Sequence, residues 1–593
     1  MRIAVILIFL LAGCTHSPKL ESPQVPVKAE WIQQSDQFAE EFTKAYANLR
    51  PEIGSELGYS EFNHLGLLLD FQTEERDRKF LSEWLLKLKS QELSVSDAEL
   101  KIDIQVLGNW IQNQISNIDV YRSVREVEFV EGVRFVYQYL QFLLSDQSTP
   151  ESKSSAVSRF KIYVHGNSNH QPLLEAMQSV FRARLKQYQG QNILAPYKGE
   201  VEQYLKDSAS VVSGIRELLA KSGRSDWDED FQKFAVQAKA YDEFTKNIVL
   251  PMSRSNSRLP KLVYAQILKR RGIDAEPSAL IQRALSDYKT IYRIFSDQAK
   301  QIAHKHNLSK SNPAAVIQFL KSQPITDPKE VEKLYHEADR RLEKIMREND
   351  LISVPSSPLK IRVAGEAESR MVPVPHLNPP PLVSNKGERP EFVVPGASGG
   401  LPFDDFSSPY SAIVLTAHEG RPGHDMQFSQ MLDRGISVIR SRYAVNNVNI
   451  EGWALFAEDL VYPYLAPEER FFATQTRLWR VARMFLDPQL QLGQISDQRV
   501  LDVFIKELGV SRAMAGLELN RYKFNDIGQA PSYYFGYLIV NKMRDDAKKR
   551  LGSSFNLRCF NDKLLSFGLL PLRISSDRME RELTCTAPAT SSK

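Results

Sequence analysis

The chain has 593 residues, 42% hydrophobic and 25% charged, an ordinary globular composition that excludes disorder or a fibrous repeat as its main state. Its length corresponds to roughly three or four domain-sized masses, with a core large enough to need no disulfide staples. The balance of 76 Lys and Arg against 72 Asp and Glu, net charge +4, argues against a nucleic-acid surface, and three cysteines are too few for a disulfide-dense scaffold or a Cys-rich metal site.

In chain order, residues 1–13 read as a signal peptide: Arg2 supplies a basic start, and the apolar run from Ile3 to Leu11 is too short to span a bilayer. Leu11-Ala12-Gly13-Cys14 resembles a bacterial lipobox, in which the Cys14 thiol is lipidated (palmitate) and cleavage makes it the new N-terminus. The competing reading is an ordinary signal peptide with an incidental cysteine. Residues 14–30 form the lipidated tether, rich in Ser, Pro and Lys. Thr15, rather than Asp, follows the cysteine; by resemblance to lipoprotein sorting this favours the outer membrane, facing the periplasm, with the membrane met through the lipid anchor only. In that oxidising compartment Cys559 and Cys585 are either a disulfide or two unpaired thiols.

Residues 31–350 are expected to be helical. Asp327 is placed to N-cap, Pro328 to open the helix and Glu330 to complete a capping box, before Val331, Leu334, Tyr335, Ala338, Leu342 and Ile345 recur at helical spacing. Similar stripes run through 97–114, 201–220 and 279–303. Residues 351–409 are a Pro-rich irregular segment containing Pro379-Pro380-Pro381, with Glu391-Phe392-Val393-Val394 as an edge-strand candidate able to receive a substrate backbone as an added strand; a plain connecting loop is the alternative. Helical patterning resumes over 410–575, and 576–593 form a C-terminal tail.

The run His418-Glu419-Gly420-Arg421-Pro422-Gly423-His424 opens like the His-Glu-x-x-His zinc signature. Its histidines are six apart, roughly 240° round an ideal helix, and so diverge; a bulge at Pro422-Gly423 is expected to bring His424 back beside His418. The competing reading is a chance pattern. Glu451 and Glu458 lie seven apart on an otherwise apolar helical strip with Trp453 and Phe456. Carboxylates in such surroundings need partners, and a two-histidine zinc site needs a carboxylate from a second helix; a capping Glu451 and a surface Glu458 are the alternative. Further on, Tyr533, Tyr534 and Tyr537, with Arg521 nearby, are either oxyanion donors or helix packing.

These runs, with Glu451-Gly452-Trp453-Ala454, Gly528-Gln529-Ala530 and Phe567-Gly568-Leu569-Leu570-Pro571-Leu572, resemble the bacterial domain-of-unknown-function family 885, most strongly over 408–572. That family in turn resembles helical zinc peptidases of the thimet oligopeptidase and carboxypeptidase Taq kind. The resemblance implies a mainly α, zincin-like peptidase fold with a deep cleft and a small irregular or β segment before the metal-binding helix. It implies Zn2+ held by His418, His424 and Glu451, with Glu419 as base and Tyr533 as oxyanion donor. Glu458 and Asp425 are expected in the surrounding shell, and the substrate is a peptide or peptide-like molecule of the cell envelope. Two departures stand out: Asp425 and Gln491 occupy positions where the family usually carries histidine. They leave open a weakened or inactive binding lipoprotein, and the metal chemistry serves a zinc amidase on a non-peptide substrate equally well.

Overall fold

The computed structural model describes residues 28–585, apart from 146, 324, 326, 366, 367, 370, 371, 381–384, 386 and 397–404. The signal peptide, Cys14 and nearly all of the tether lie outside the described residues. The expected helices form, and their caps explain where they begin. Asp97 accepts from the backbone N–H groups of Glu99 and Leu100 and opens Ala98–Ser123. Asp327 accepts from Lys329 and Glu330, with Pro328 in the first turn. Glu330, expected to reach back to the cap, pairs instead with Lys333 at 3.5 Å.

Two helices matter as scaffold, α1 (Pro277–Lys305) and α2 (Pro328–Glu348). They precede a small sheet of β1 (Lys360–Val363), β2 (His376–Asn378) and β3 (Glu391–Val394), in the order β1-β3-β2. β1 runs parallel to β3, with Ile361 opposite Phe392, and β2 antiparallel, with Leu377 opposite Phe392. The segment Glu391–Val394 is therefore the central strand, not an edge. Its backbone is paired on both sides from Glu391 to Val393, which leaves no free ladder there for a substrate strand. Phe392 and Val394 are buried with Val331 and Tyr335 of α2, which explains the inward position.

The site-bearing half follows as α3 (Pro409–Glu419), α4 (His424–Arg434), α5 (Asn447–Val461), α6 (Pro467–Gln491), α7 (Arg512–Asn520) and α8 (Ser532–Leu551). The largest hydrophobic core joins this half to the chain's beginning, running from Ala39 through Ile104 and Phe295 to Trp453, Phe485 and Leu570. A second core, between Leu67 and Val249, serves the remaining N-terminal helices. A buried polar junction also ties the halves: the fully enclosed Asp103 carboxylate accepts from Ser35 Oγ, Ser437 Oγ and Arg440 Nε, each at 2.6 Å. Asp36 adds a bond from the Val438 N–H at 2.7 Å. No helix among the described residues is long and apolar enough to cross a membrane. Cys559 and Cys585 are joined as a disulfide, with Cα atoms 5.9 Å apart.

Candidate metal centre

The two histidines sit on two different helices. Instead of a bulge within one helix, the chain leaves α3 after Glu419, turns through Gly420–Gly423, and starts α4 at His424. Proline denies a helical donor, and a Cβ on Gly423 would overlap the His418 carbonyl, so only glycine lets the chain fold back this tightly. The turn is fastened from both sides. Trp453 Nε1 donates to the Pro422 and Gly423 carbonyls, both at 3.1 Å. The Arg421 guanidinium, buried to 1% exposure, donates to Asp425 at 2.7 Å, to Glu343 and to the Ser357 carbonyl. His424 is thereby returned beside His418, with ring centroids 5.0 Å apart.

Asp425 thus does not attend the histidines, as its sequence position suggested. Its carboxylate accepts from Arg421 and from Ser429 Oγ (3.2 Å), facing away down α4. Burial raises its pKa, and Arg421 and Ser429 oppose that rise. Gln491, the other departure, braces the fold: it accepts from the Leu259 N–H at 3.0 Å and donates to the Tyr522 carbonyl at 2.7 Å.

The third arm is α5, capped by Asn446, whose side chain accepts from the Asn449 N–H at 2.9 Å. Glu451 and Glu458 are both buried on it. Glu451 Oε2 lies 3.5 Å from His418 Nε2 and 3.5 Å from His424 Nε2. The donor atoms of His418, His424 and Glu451 all fall within 4.8 Å of one another. Glu451 Oε1 accepts from Gln529 Nε2 at 3.0 Å, while Oε2 is buried without a hydrogen-bond partner. Glu458 takes the other side of the first histidine, accepting from His418 Nδ1 at 2.8 Å and from Thr476 Oγ1 at 3.0 Å. The Nδ1 atom of His424 has no such partner.

Burial works against a charged His418, but the Glu451 carboxylate 3.5 Å away and the bond to Glu458 outweigh this and raise its pKa to about 9. Glu451 is held well below the carboxylate range by the two histidines, against the cost of burial. The arrangement fits a tetrahedral cation. Nitrogen and oxygen ligands at about 2.0–2.2 Å from zinc stand roughly 3.3–3.6 Å apart, and the orphaned Glu451 Oε2 sits at that separation from both imidazole nitrogens. The Glu458–His418 bond has the form of the carboxylate–histidine pair that fixes the tautomer of a histidine in metal sites.

Beside the triad lies a cavity of about 250 Å3 lined by His418, Glu419, Tyr533 and residues of α6 and α7. Glu419, half-buried, opens onto it. The Tyr533 ring stacks 6.1 Å from that of His418, and its hydroxyl accepts from Gln529 Nε2 at 3.3 Å. Tyr534 and Tyr537 turn elsewhere, donating to Asp287 (3.0 Å) and to Asp459. Three residues that sequence reading did not assign also belong to the site. Gln529 bridges Glu451 and Tyr533, while Arg480 and Arg483 stand over the Tyr533 ring at 6.0 and 4.6 Å from its centroid. Gln529 lies in a run already singled out; the arginines carry no local mark, being two among many on a long helix.

A family model described as bacterial protein of unknown function, DUF885, matches residues 51–579. The chain belongs to that family. The match takes in the helical N-terminal part, where no diagnostic motif is legible. The DUF885 chain is similar to two solved structures. One is from Shewanella oneidensis, described as a candidate lipoprotein of unknown function (17% identity, TM-score 0.72, covering 93% of this chain and 100% of that one). The other is from Colwellia psychrerythraea, also described as a candidate lipoprotein (18% identity, TM-score 0.72, covering 93% and 99%). At that identity the likeness shows a shared fold. Among curated proteins none matches the chain.

Proposed function

We propose that this DUF885 chain is a zinc-dependent hydrolase acting on peptides in the cell envelope, on a zincin-like helical fold whose cleft is the cavity beside His418. One observation carries the reading. Two buried imidazole nitrogens and a buried carboxylate oxygen without a partner converge within 4.8 Å at the edge of a cavity that also holds Glu419 and Tyr533. His418, His424 and Glu451 would hold the metal. Zinc bound there supplies Lewis acidity toward water and toward a carbonyl oxygen.

The remaining work falls to side chains. Glu419, next to a ligand but not among the three, takes the proton of the attacking water at its carboxylate and returns it to the leaving amine. The Tyr533 hydroxyl donates to the oxygen that gains charge as the carbonyl becomes tetrahedral, and Gln529 sets the hydroxyl's direction. With the metal in place of the Nε2 proton, Glu458 would hold the remaining proton of His418 on Nδ1, leaving the Nε2 lone pair directed at the site. Asp425 and Gln491 are engaged in bracing the fold, and neither is among the three proposed ligands, the base or the oxyanion donor.

The lipobox at Leu11-Ala12-Gly13-Cys14 and the description of both structural neighbours as candidate lipoproteins support a tethered protein in the cell envelope; Thr15, rather than Asp, after the cysteine favours the outer membrane, facing the periplasm. Metal analysis of the purified chain, paired with a peptide-mixture cleavage assay, tests the function. The expected result is about one zinc per chain and cleavage that a chelator abolishes and zinc restores. A chain that binds no zinc overturns the reading; one that binds zinc but cleaves nothing across a broad peptide and amide panel is a binding protein. Cys14→Ala tests the anchor: a variant that stays membrane-bound and normally processed removes the lipoprotein claim.

A further inference from the structure

Helix α6 carries a buried polar stripe. Arg483, Asp487 and Gln491 recur every four residues along it and so share one face. All three are buried, Asp487 completely. Each grips the stretch that leads from the end of α7 to the start of α8. Arg483 donates to both oxygens of Glu518, at 2.9 and 2.6 Å. Gln491 donates to the Tyr522 carbonyl at 2.7 Å. Asp487 reaches furthest along the stretch: its Oδ2 accepts from the Gly528 N–H at 3.0 Å, while its Oδ1 accepts from the Tyr264 hydroxyl, on the helix Lys261–Arg270, at 2.6 Å. Gly528 has φ +72°, and a Cβ there would stand 2.8 Å from Ile267 of that same helix. The next residue is Gln529. Its N–H donates to the Asp526 carbonyl at 3.2 Å, and its carbonyl accepts from the Ser532 N–H at 3.0 Å. From this fixed backbone its Nε2 reaches Glu451 Oε1 at 3.0 Å and the Tyr533 hydroxyl at 3.3 Å.

We infer that Asp487 is a positioning residue of the metal centre: through the Gly528 N–H it fixes Gln529, and through Gln529 it sets both the ligand Glu451 and the hydroxyl of Tyr533. This rests on the zinc-hydrolase reading above. The hydrogen bonds of Asp487 go to Tyr264 and Gly528, so it acts on the site at one remove, and each polar step of the path lies between 3.0 and 3.3 Å. The other two residues of the stripe hold Glu518 and Tyr522, eleven and seven residues before Gln529, whereas Gly528 adjoins it. The residue type fits the task. A buried carboxyl group is costly, and burial raises the pKa of this one to about 7, with Asp526 adding to the rise and Tyr264, Gly528 and Arg521 opposing it. Yet two donors converge on the side chain, and a carboxylate accepts from both without presenting a donor of its own, which the amide of an asparagine cannot do. A shift of Gln529 would release Glu451 and Tyr533 together, since one Nε2 serves both.

Two measurements decide the inference without turnover. Zinc affinity, by competition with a chelator of known affinity, is taken for wild type, Asp487→Ala, Asp487→Asn and Gln529→Ala, and for each Asp487 change combined with Gln529→Ala. Amide hydrogen exchange of the metal-free chains is followed over residues 525–534 and, for comparison, over the remote helix Leu173–Gln187. Asp487→Ala should weaken zinc binding roughly 10–100-fold, as for the loss of a group that orients a ligand. Asp487→Asn should recover part of this, because its amide oxygen still accepts from Gly528 while the Tyr264 hydroxyl turns to accept from the amide. Beside Gln529→Ala, either Asp487 change should add less than about two-fold, since nothing is left for it to act through. Exchange over 525–534 should quicken about ten-fold or more in Asp487→Ala, as for a lost bond to a charged acceptor, with Leu173–Gln187 unchanged. Zinc losses that add in the double variants, or unchanged exchange over 525–534, overturn the inference; so does equal quickening in both segments, the mark of a merely structural role. If Asp487→Ala fails to fold, Asp487→Asn reads both measurements with smaller expected changes. A wild type that binds no zinc fails the hydrolase reading, and the exchange measurement, which needs no metal, then decides whether Asp487 holds the turn of Gln529.

Discussion

Gly452 of α5 and Gly536 of α8 meet backbone to backbone: a Cβ on Gly452 would stand 2.6 Å from the Gly536 carbonyl carbon, and one on Gly536 would overlap the Val448 carbonyl oxygen. This approach lets Glu451, one residue before the contact, meet Gln529 and the Tyr533 turn. Gly452→Ala should force the helices apart, at roughly 1–3 kcal/mol as for other overpacked sites. It should also loosen the Glu451–Gln529 bond. Thermal unfolding and zinc retention against a chelator are expected to fall together; a variant unchanged in both removes the crossing from its positioning role.

Glu419→Gln separates chemistry from metal binding. The substitution keeps size and most hydrogen bonding but deletes the base. Zinc content should stay near wild type while turnover falls roughly 10²–10⁴-fold. His418→Ala should lose metal and activity together. Tyr533→Phe should keep the metal and lose roughly 10²–10³-fold, as for one oxyanion donor. Wild-type rates in Glu419→Gln would rule out the assigned base.

Glu458 reaches the proposed metal only through His418. Glu458→Ala leaves Nδ1 of a buried imidazole without its 2.8 Å acceptor, and a lost brace of this kind costs roughly 10–100-fold in metal affinity. Glu458→Gln, which keeps an acceptor oxygen, should fall between. Competition with a zinc chelator of known affinity gives the ranking; an alanine variant that holds zinc as tightly as wild type refutes the brace.

Asp339 of α2 gives a pH dependence. Burial, with Glu343 and Asp425 nearby, raises its pKa to about 7 despite Arg421. An unfolded aspartate titrates near 3.9. Between roughly pH 4 and 7 the folded chain therefore holds a proton that the unfolded chain has released, so this group's stabilising effect is full below pH 4 and lost as pH rises through 7. Asp339→Asn should flatten that slope and gain on the order of 2 kcal/mol at pH 8 relative to pH 4. Denaturant titrations at the two pH values measure it; parallel curves for variant and wild type contradict it.

Helices, their starts at Asp97 and Asp327, and the switch to irregular chain after about residue 350 are legible in the sequence, because caps, prolines and a 3.6-residue period are local properties. So are the residue types of the candidate centre. The sequence leaves open which of Glu451 and Glu458 faces both histidines, since seven residues place both carboxylates on one face of α5. The tertiary structure decides it. The return of α4 through Gly423 and the contact of Gly452 with Gly536 set Glu451 between the two imidazoles and Glu458 behind one of them. Likewise only the tertiary meeting of α6 with α7, through the Arg483–Glu518 pair, and the turn at Arg521 bring three arginines to the wall of one cavity, and only the pairing of β1 and β2 with β3 on its two sides places Glu391–Val394 at the sheet's centre. Each of these depends on groups tens or hundreds of residues apart, whose meeting is set by how helices cross and strands register rather than by any period within one segment.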